Sequence, residues 1–187
     1  CKLVGNGNRG HFGIQPCRTR KNNGTQRPES LSFKINSFMK AFAIQQEKTI
    51  QAIEMAEPQM SATDVLIEIH YIGLCGSDLS SYRGLMPFVT LPRVPGHEIS
   101  GVILKKGSAV PDTLTVGDRV TVSPYTRCGV CPSCRSGRDN CCQYNQTLGV
   151  QRDGALTERI AVPFEKVFTS TKLSPTGLAL VEPFSVG

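Results

Sequence analysis

The sequence lacks the features that would direct it into a membrane or out of the cell. No apolar run approaches the roughly 18 residues that span a bilayer, and no apolar secretory leader opens the chain. The chain has eight cysteines, but their arrangement in C-x2-C units favours metal binding in a reducing compartment over a disulfide framework. We therefore expect a cytoplasmic protein without a membrane partner.

The chain also lacks a charge imbalance beyond its first 38 residues. Residues 1–38 contain seven Lys or Arg and a single acid, Glu29, which accounts for the whole net charge of +6, whereas the remaining 149 residues carry 14 basic and 14 acidic side chains. This distribution removes the argument for a nucleic-acid partner. Residues 1–38 show no hydrophobic periodicity and are predicted to be a disordered or non-native basic extension.

From Met39 onward the sequence is a series of short strands separated by turns. A hydrophobic content of 39%, with 18 glycines and 12 prolines, is typical of a turn-rich β protein. The predicted strands cover residues 40–44, 49–55, 65–72, 99–104, 118–122, 155–162 and 167–169. Their spacing predicts a closed or partly closed β-barrel, and the only predicted helix starts near Leu178, after Ser174 and Pro175.

Five cysteines fall within fifteen residues, in the segment CGVCPSCRSGRDNCC from Cys128 to Cys142. Cys128, Cys131 and Cys134 follow the pattern C-x2-C-x2-C, and the fourth thiol is either Cys141 or Cys142. The segment has almost no apolar residues with which to fold, but four thiolates around one Zn²⁺ at about 2.3 Å would organise it. A closed site of this kind predicts a structural role, because it leaves no coordination position for a substrate.

A second candidate group combines Cys75, in GLCGSDL, with His97 and Glu98, in VPGHEISG. Each lies at a predicted strand end beside glycine, where a side chain can point into a cleft. One cysteine, one histidine and one carboxylate form an open zinc site whose fourth position takes water or substrate. Neighbouring side chains of a regular strand point to opposite faces, so His97 and Glu98 share a metal only if the backbone is irregular, as Gly96 would allow.

The order and spacing of these motifs resemble the N-terminal, GroES-like catalytic domain of the zinc-dependent medium-chain alcohol and polyol dehydrogenases, with sorbitol dehydrogenase-like enzymes nearest. The resemblance covers the 149 residues from Met39 onward. The motifs that carry it are GLCGSD (73–78), PGHEISG (95–101), VGDRV (116–120), the cysteine segment, LGV-x-x-DGALTE (148–158) and LVEPFSVG (180–187).

The resemblance implies a mainly β fold, with a partly open GroES-like barrel, short helices and a four-cysteine zinc lobe at residues 124–145. The domain would span residues 39–173. Residues 174–187 would begin the linker helix into a cofactor domain.

The resemblance also assigns the metal ligands. Cys75 and His97 match the two constant ligands of the catalytic zinc, and the third ligand is Glu98, Glu182 or a water. We favour Glu98 over Glu182, because the irregular backbone expected at Gly96 would let Glu98 face the same ion as His97.

Two further roles, and the choice of the fourth structural ligand, follow from the same resemblance. Ser77 matches the hydroxyl that begins the proton relay, and Asp78 matches an acid that orients the site. The family spacing selects Cys142 over Cys141 as the fourth ligand of the structural zinc. Two Zn²⁺ ions per chain are therefore expected, one catalytic and one structural.

The implied reaction is the oxidation of a secondary alcohol in a polyol, sugar alcohol or sugar acid, by hydride transfer to NAD or NADP. The Rossmann cofactor domain of the family is absent from these 187 residues. The motif GNGNRG (5–10) matches G-x-G-x-x-G, but we interpret it as a chance match because no strand precedes it and no helix follows. The chain alone is therefore expected to be an inactive fragment of an active parent, a dimer or tetramer acting on a small alcohol or polyol.

Two alternatives from other functional classes remain. In the first, the cysteines hold the iron–sulfur cluster of an electron carrier, although ferredoxins with this spacing continue with x3-C-P and here RSGRDN follows. In the second, the domain is a non-catalytic, zinc-stabilised binding module, which would hold one metal ion per chain where the enzyme requires two.

Overall fold

The computed structural model describes residues 38–186, and their fold is mainly β. One antiparallel hairpin consists of β1 (Phe38–Gln46) and β2 (Thr49–Ala56). A five-stranded antiparallel sheet has the order β6-β3-β4-β5-β7, with β3 (Asp64–Gly73), β4 (Glu98–Lys106), β5 (Arg119–Val122), β6 (Arg159–Pro163) and β7 (Val167–Thr169). Hairpin and sheet together form a partly open barrel, which confirms the predicted fold class.

The core lies on one face of the five-stranded sheet. It is formed by the apolar residues that alternate along the strands. Val65 and Ile67 of β3, Ile99 and Ile103 of β4, and Val120 of β5 are all 0% exposed. Burial of each such side chain contributes about 1.5–3 kcal/mol. A smaller cluster joins the hairpin to the rest of the domain through Ala41, Ala43 and Val94. Both clusters therefore support the β3 and β4 ends where the candidate site lies.

Each predicted strand is present, but the one predicted at 155–162 begins only at Arg159. The residues before it pair with a different segment. Gly154 N donates to Val94 O at 2.7 Å, and Ala155 N donates to Gly96 O at 2.9 Å. These bonds hold residues 154–156 against residues 94–96, so these residues do not form the first part of the predicted strand.

Four short helices occur in the described range: α1 (Gly76–Tyr82), α2 (Pro132–Arg135), α3 (Pro175–Ala179) and α4 (Val181–Val186). No sequence pattern predicts α1 or α2, because seven and four residues are too few to show helical periodicity. The helix expected near Leu178 begins earlier, at Pro175, where the Ser174 hydroxyl accepts a bond from Gly177 N at 3.0 Å. Such a cap contributes about 1 kcal/mol.

No helix within residues 38–186 is long and apolar enough to cross a membrane. The basic extension predicted for residues 1–38 and the GNGNRG motif lie outside the described residues. Phe38 is the exception, since it pairs with Ala56 at the start of β1.

Candidate active site and metal centres

The cysteine segment folds so that four of its thiols converge. The Sγ atoms of Cys128, Cys131, Cys134 and Cys142 all lie within 4.8 Å of one another. Helix α2 starts directly after Cys131, and a single 3₁₀ turn over Asp139–Cys141 leads into Cys142. That turn leaves Cys141 exposed and Cys142 buried. The structure thus brings together the four residues that the family spacing selected.

Backbone amides lower the pKa of two of these four thiols, Cys131 and Cys142. Cys134 N donates to the sulfur of Cys131 at 3.5 Å and lowers the pKa of that thiol to about 6. Burial opposes ionisation of Cys142, but bonds from Cys128 N and Tyr144 N, both 3.4 Å long, outweigh it and lower its pKa. Burial raises the pKa of Cys134 to about 12, and a bound cation would reverse that preference.

The donor set of the lobe fits a closed zinc site. Four thiols within one coordination sphere match the Cys₄ structural type. The six cysteines of the described range are all free, and Cys128 Sγ and Cys134 Sγ lie 3.9 Å apart, too far for a disulfide bond.

The second group forms where β3 ends and β4 begins. Cys75 lies two residues beyond β3 and immediately before α1, and Glu98 is the first residue of β4. The cysteine sulfur, a ring nitrogen of His97 and a carboxylate oxygen of Glu98 all lie within 4.8 Å of one another. His97 and Glu98 are buried, whereas Cys75 is half-buried, so Cys75 is the member of the group that is most accessible to solvent.

Gly96 explains how two consecutive residues can point at one place. Its φ of +95° lies in the left-handed region that glycine tolerates. His97 precedes β4, so the alternation of a regular strand does not apply to the pair. Bonds from Ala155 N to Gly96 O and from Leu156 N to Pro95 O, 2.9 and 3.0 Å long, fix this turn.

The surroundings of this group fit a cation. Within residues 38–186, His97 Nδ1 is buried and has no hydrogen-bond partner, an arrangement that costs free energy unless another group is bound. Glu98 is 8% exposed, and no hydrogen bond from the described residues reaches its carboxylate. Cysteine, histidine and glutamate are the donor types of an open zinc site.

Asp78 connects the two halves of this group through the backbone. Its Oδ2 accepts a bond from Cys75 N and its Oδ1 accepts one from Gly96 N, both at 2.9 Å. The carboxylate is 6% exposed. It therefore fixes the spacing between the cysteine and the glycine next to the histidine. Ser77 lies beside it in the first turn of α1, half-buried.

Glu182, the alternative third ligand, lies outside the group of three. It belongs to α4 and is buried, and its Oε1 accepts a bond from the Tyr125 hydroxyl at 3.1 Å. Tyr125 is 43% exposed, and its partial burial, followed by the charge of Glu182, raises the pKa of its hydroxyl. Tyr125 and Glu182 line a cavity of about 280 Å³ together with Thr121, Phe168 and Val181.

Two residues at this site are not predicted by any sequence pattern. Tyr125 carries no local signal, since its partner Glu182 is 57 residues away. Gly73 belongs to the GLCGSD motif, which does not indicate that the Glu98 side chain lies over this residue. His70, the remaining histidine of the described range, is exposed and lies 3.3 Å from Glu68 at the surface.

The family of this chain follows from its match to known domains. Residues 61–172 match the alcohol dehydrogenase GroES-like domain. The chain belongs to this family, the zinc-type alcohol and polyol dehydrogenases, as its motifs indicated.

Particular relatives are the sorbitol dehydrogenase of Bacillus subtilis (strain 168) and the L-galactonate-5-dehydrogenase of Escherichia coli (strain K12). The first is 39% identical over 154 residues, covering 80% of this chain and 43% of the relative, and the second is 37% identical over 150 residues, covering 80% and 44%. A crystal structure of an E. coli CFT073 alcohol dehydrogenase with NADH has 36% identity and a TM-score of 0.74, covering 81% of this chain and 44% of that one. The chain therefore spans less than half the length of these relatives.

Proposed function

We propose that this chain supplies the zinc-binding catalytic domain of an NAD(P)-dependent dehydrogenase that oxidises a secondary alcohol of a polyol, sugar alcohol or sugar acid. The observation that carries the proposal is the convergence of Cys75, His97 and Glu98, of which Cys75 is the most accessible to solvent. Similarity to a sorbitol dehydrogenase and a galactonate dehydrogenase supports the substrate class.

The proposed metal content is two Zn²⁺ ions per chain with different tasks. Cys128, Cys131, Cys134 and Cys142 would hold the structural ion. Cys75, His97 and Glu98 would hold the catalytic ion, which as a Lewis acid lowers the pKa of a substrate hydroxyl. Glu98 is the better candidate for the third ligand, because Glu182 lies outside the group and is engaged by Tyr125.

The residues around the metal group suggest how the chain handles substrate and proton. The Ser77 hydroxyl, in the first turn of α1, would take the proton of the substrate hydroxyl and release it toward solvent. Asp78 would hold the backbone of Cys75 and of the Gly96 turn at a fixed separation. The cavity beside Tyr125 and Glu182 would accept the neighbouring hydroxyls of a polyol, since both groups can form hydrogen bonds with them.

The coenzyme would be held elsewhere than in the described barrel. Hydride transfer requires a nicotinamide positioned over the reacting carbon. The sheets of residues 38–186 are antiparallel throughout, whereas dinucleotide sites of the Rossmann type use parallel βαβ units. We therefore expect no turnover from the 187-residue polypeptide by itself.

Three further properties stay predictions. They are the choice between NAD and NADP, a homodimeric or tetrameric assembly, and a cytoplasmic location.

Metal analysis of the purified chain tests the proposal. We expect about two equivalents of zinc in the wild type and about one in Cys75→Ala, with the remaining ion in the lobe. Glu98→Gln should weaken the second equivalent, whereas the matched change Glu182→Gln should leave both bound. One equivalent in the wild type would instead support a zinc-stabilised binding module. A brown, iron-containing protein would support the electron-carrier alternative, against which the family match argues.

Activity of the whole protein is the complementary test. NAD(P)-dependent oxidation of sorbitol, of another polyol or of a sugar acid that disappears in Cys75→Ala is the expected outcome. Turnover that survives this change would refute the assignment of the open site.

A further inference from the structure

We propose that Gly73 is a positioning residue, whose missing side chain creates the space in which the Glu98 carboxylate reaches the Cys75 and His97 group. The inference rests on the proposed metal site and explains how its carboxylate is held. Glycine is needed at position 73 for the space that it leaves to the Glu98 side chain, and not for its backbone flexibility.

Gly73 and Glu98 face each other across two strands. Gly73 is the last residue of β3 and Glu98 the first of β4, and the two are direct partners in the antiparallel register. A methyl group placed on Gly73 would lie 2.9 Å from Glu98 Cβ and 3.0 Å from Glu98 Cδ, and would overlap Glu98 Oε2. Carbon atoms prefer separations of about 3.5–4.0 Å, so the Glu98 side chain would have to move.

The backbone of Gly73 does not itself require glycine. The glycines with positive φ in the described range are at positions 84, 96, 117, 129, 137 and 149, and Gly73 is not among them. The three atoms nearest to the added methyl all belong to Glu98. By contrast, a methyl on Gly101 or Gly154 would meet backbone atoms. At position 73, therefore, the cost of a side chain falls on Glu98.

The way in which Glu98 is held makes this space important. Its carboxylate is buried but accepts no hydrogen bond from the described residues, so packing determines its direction. Gly73 leaves open the volume in which Oε2 lies, and the carboxylate can reach within 4.8 Å of the Cys75 sulfur and the His97 ring. A methyl at position 73 would turn the carboxylate away and leave a site of two protein ligands.

The direct test compares Gly73→Ala with Gly76→Ala in the chain titrated with Co²⁺, whose visible spectrum distinguishes a four-sulfur site from a site with nitrogen and oxygen ligands. Gly76 lies in the same motif, and a methyl there would meet nothing within 4 Å. We expect Gly73→Ala to lower the affinity of the second, non-Cys₄ equivalent about 10–100-fold, the range for disturbed support of a metal ligand. The Cys₄ equivalent, and both equivalents of Gly76→Ala, should be unchanged.

A double-mutant cycle with Glu98→Ala separates this role from a merely structural one. If Gly73 acts through Glu98, then Gly73→Ala in the Glu98→Ala background should change the affinity for the second metal by no more than about twofold, the scatter of additive effects. The inference would be overturned if the two substitutions lowered the affinity for the second metal independently, so that their fold-changes multiplied in the double variant. It would also be overturned if the single Gly73→Ala variant bound the second metal like the wild type. If Gly73→Ala alone fails to fold, the double variant should recover folding and Cys₄ binding, and its failure to do so would also overturn it. A wild type that binds only one Co²⁺ would refute the proposed metal site instead.

Discussion

The domain builds its two candidate metal centres in opposite ways. The Cys₄ lobe takes all four sulfurs from fifteen consecutive residues, and it is held by bonds from amides to sulfurs within that segment or two residues beyond it. The open site takes Cys75 and His97 from segments 22 residues apart, joined by the pairing of β3 with β4. The lobe is therefore a local structure, whereas the open site depends on the barrel.

The difference indicates whether the metal would stabilise the surrounding fold or the fold would position the metal ligands. In the lobe, an ion would supply the folding free energy that its polar sequence lacks. Arg127 also joins Asp139 of the lobe to Glu165 at 2.9 and 3.2 Å, but all three side chains are exposed and contribute little. At the open site the order is reversed, since the pairing of β3 with β4 positions the candidate ligands. A slip of the β3–β4 register by one residue would separate them.

The largest expected effect distinguishes neighbouring cysteines of the lobe. Cys142→Ser should remove one zinc equivalent and lower the free energy of unfolding by more than about 4 kcal/mol, the range seen when a bound metal is lost. Cys141→Ser, which changes an exposed thiol outside the group, should keep both equivalents. Atomic-emission metal analysis and urea unfolding of the two variants measure this. Equal metal content in both variants would contradict the local description of the lobe.

The local character of the lobe also explains why it was predictable. The C-x2-C-x2-C spacing alone indicates Cys128, Cys131 and Cys134, whose units bring their own amides to the sulfurs. The resemblance to the family selected Cys142 over Cys141, and the Cys142 sulfur lies with the other three. Strands with clear alternation, such as residues 65–72, were found for a similar reason, since each pattern lies within its own segment. The strand predicted from Ala155 began four residues late, because the amides of residues 154–156 bond to a segment about 60 residues away.

The open site was only partly predictable for the same physical reason. Cys75, His97 and Glu98 could be proposed from their motifs, but the choice between Glu98 and Glu182 could not be made from spacing. The position of Glu98 beside Cys75 and His97 depends on the turn at Gly96 and on the space over Gly73. The Tyr125–Glu182 bond likewise arises from tertiary packing, and no sequence pattern indicates it.

A smaller effect tests whether the barrel holds the open site through Asp78. In Asp78→Asn one of the two accepted bonds, from Cys75 N or Gly96 N, is lost, because the amide nitrogen is a donor. We expect the affinity for the second metal to fall about 10–100-fold with the Cys₄ equivalent retained. Zinc titration against a chromogenic chelator measures both. Asp139→Asn, a carboxylate change in the lobe, is the matched control and should leave the second equivalent unchanged. Parallel loss of both equivalents in Asp78→Asn would mean that Asp78 supports the whole domain.

The smallest effect concerns the Tyr125–Glu182 pair. Burial, followed by the Glu182 charge and hydrogen bond, raises the pKa of Tyr125 above its ordinary value of 10.0. Since the folded-state pKa is the higher one, the stability that protonated Tyr125 contributes is present below pH 10.0 and is lost as the pH rises through the raised value. The tyrosinate absorbance of Tyr125 is obtained by subtracting the alkaline titration of Tyr125→Phe from that of the wild type. This absorbance should therefore appear at a higher pH than that of a free tyrosine. Glu182→Gln should lower the pH at which the tyrosinate absorbance appears, because the Glu182 carboxylate disfavours a second negative charge beside it. A midpoint at or below 10.0 in the wild type would contradict the hydrogen bond and the charge interaction between Tyr125 and Glu182.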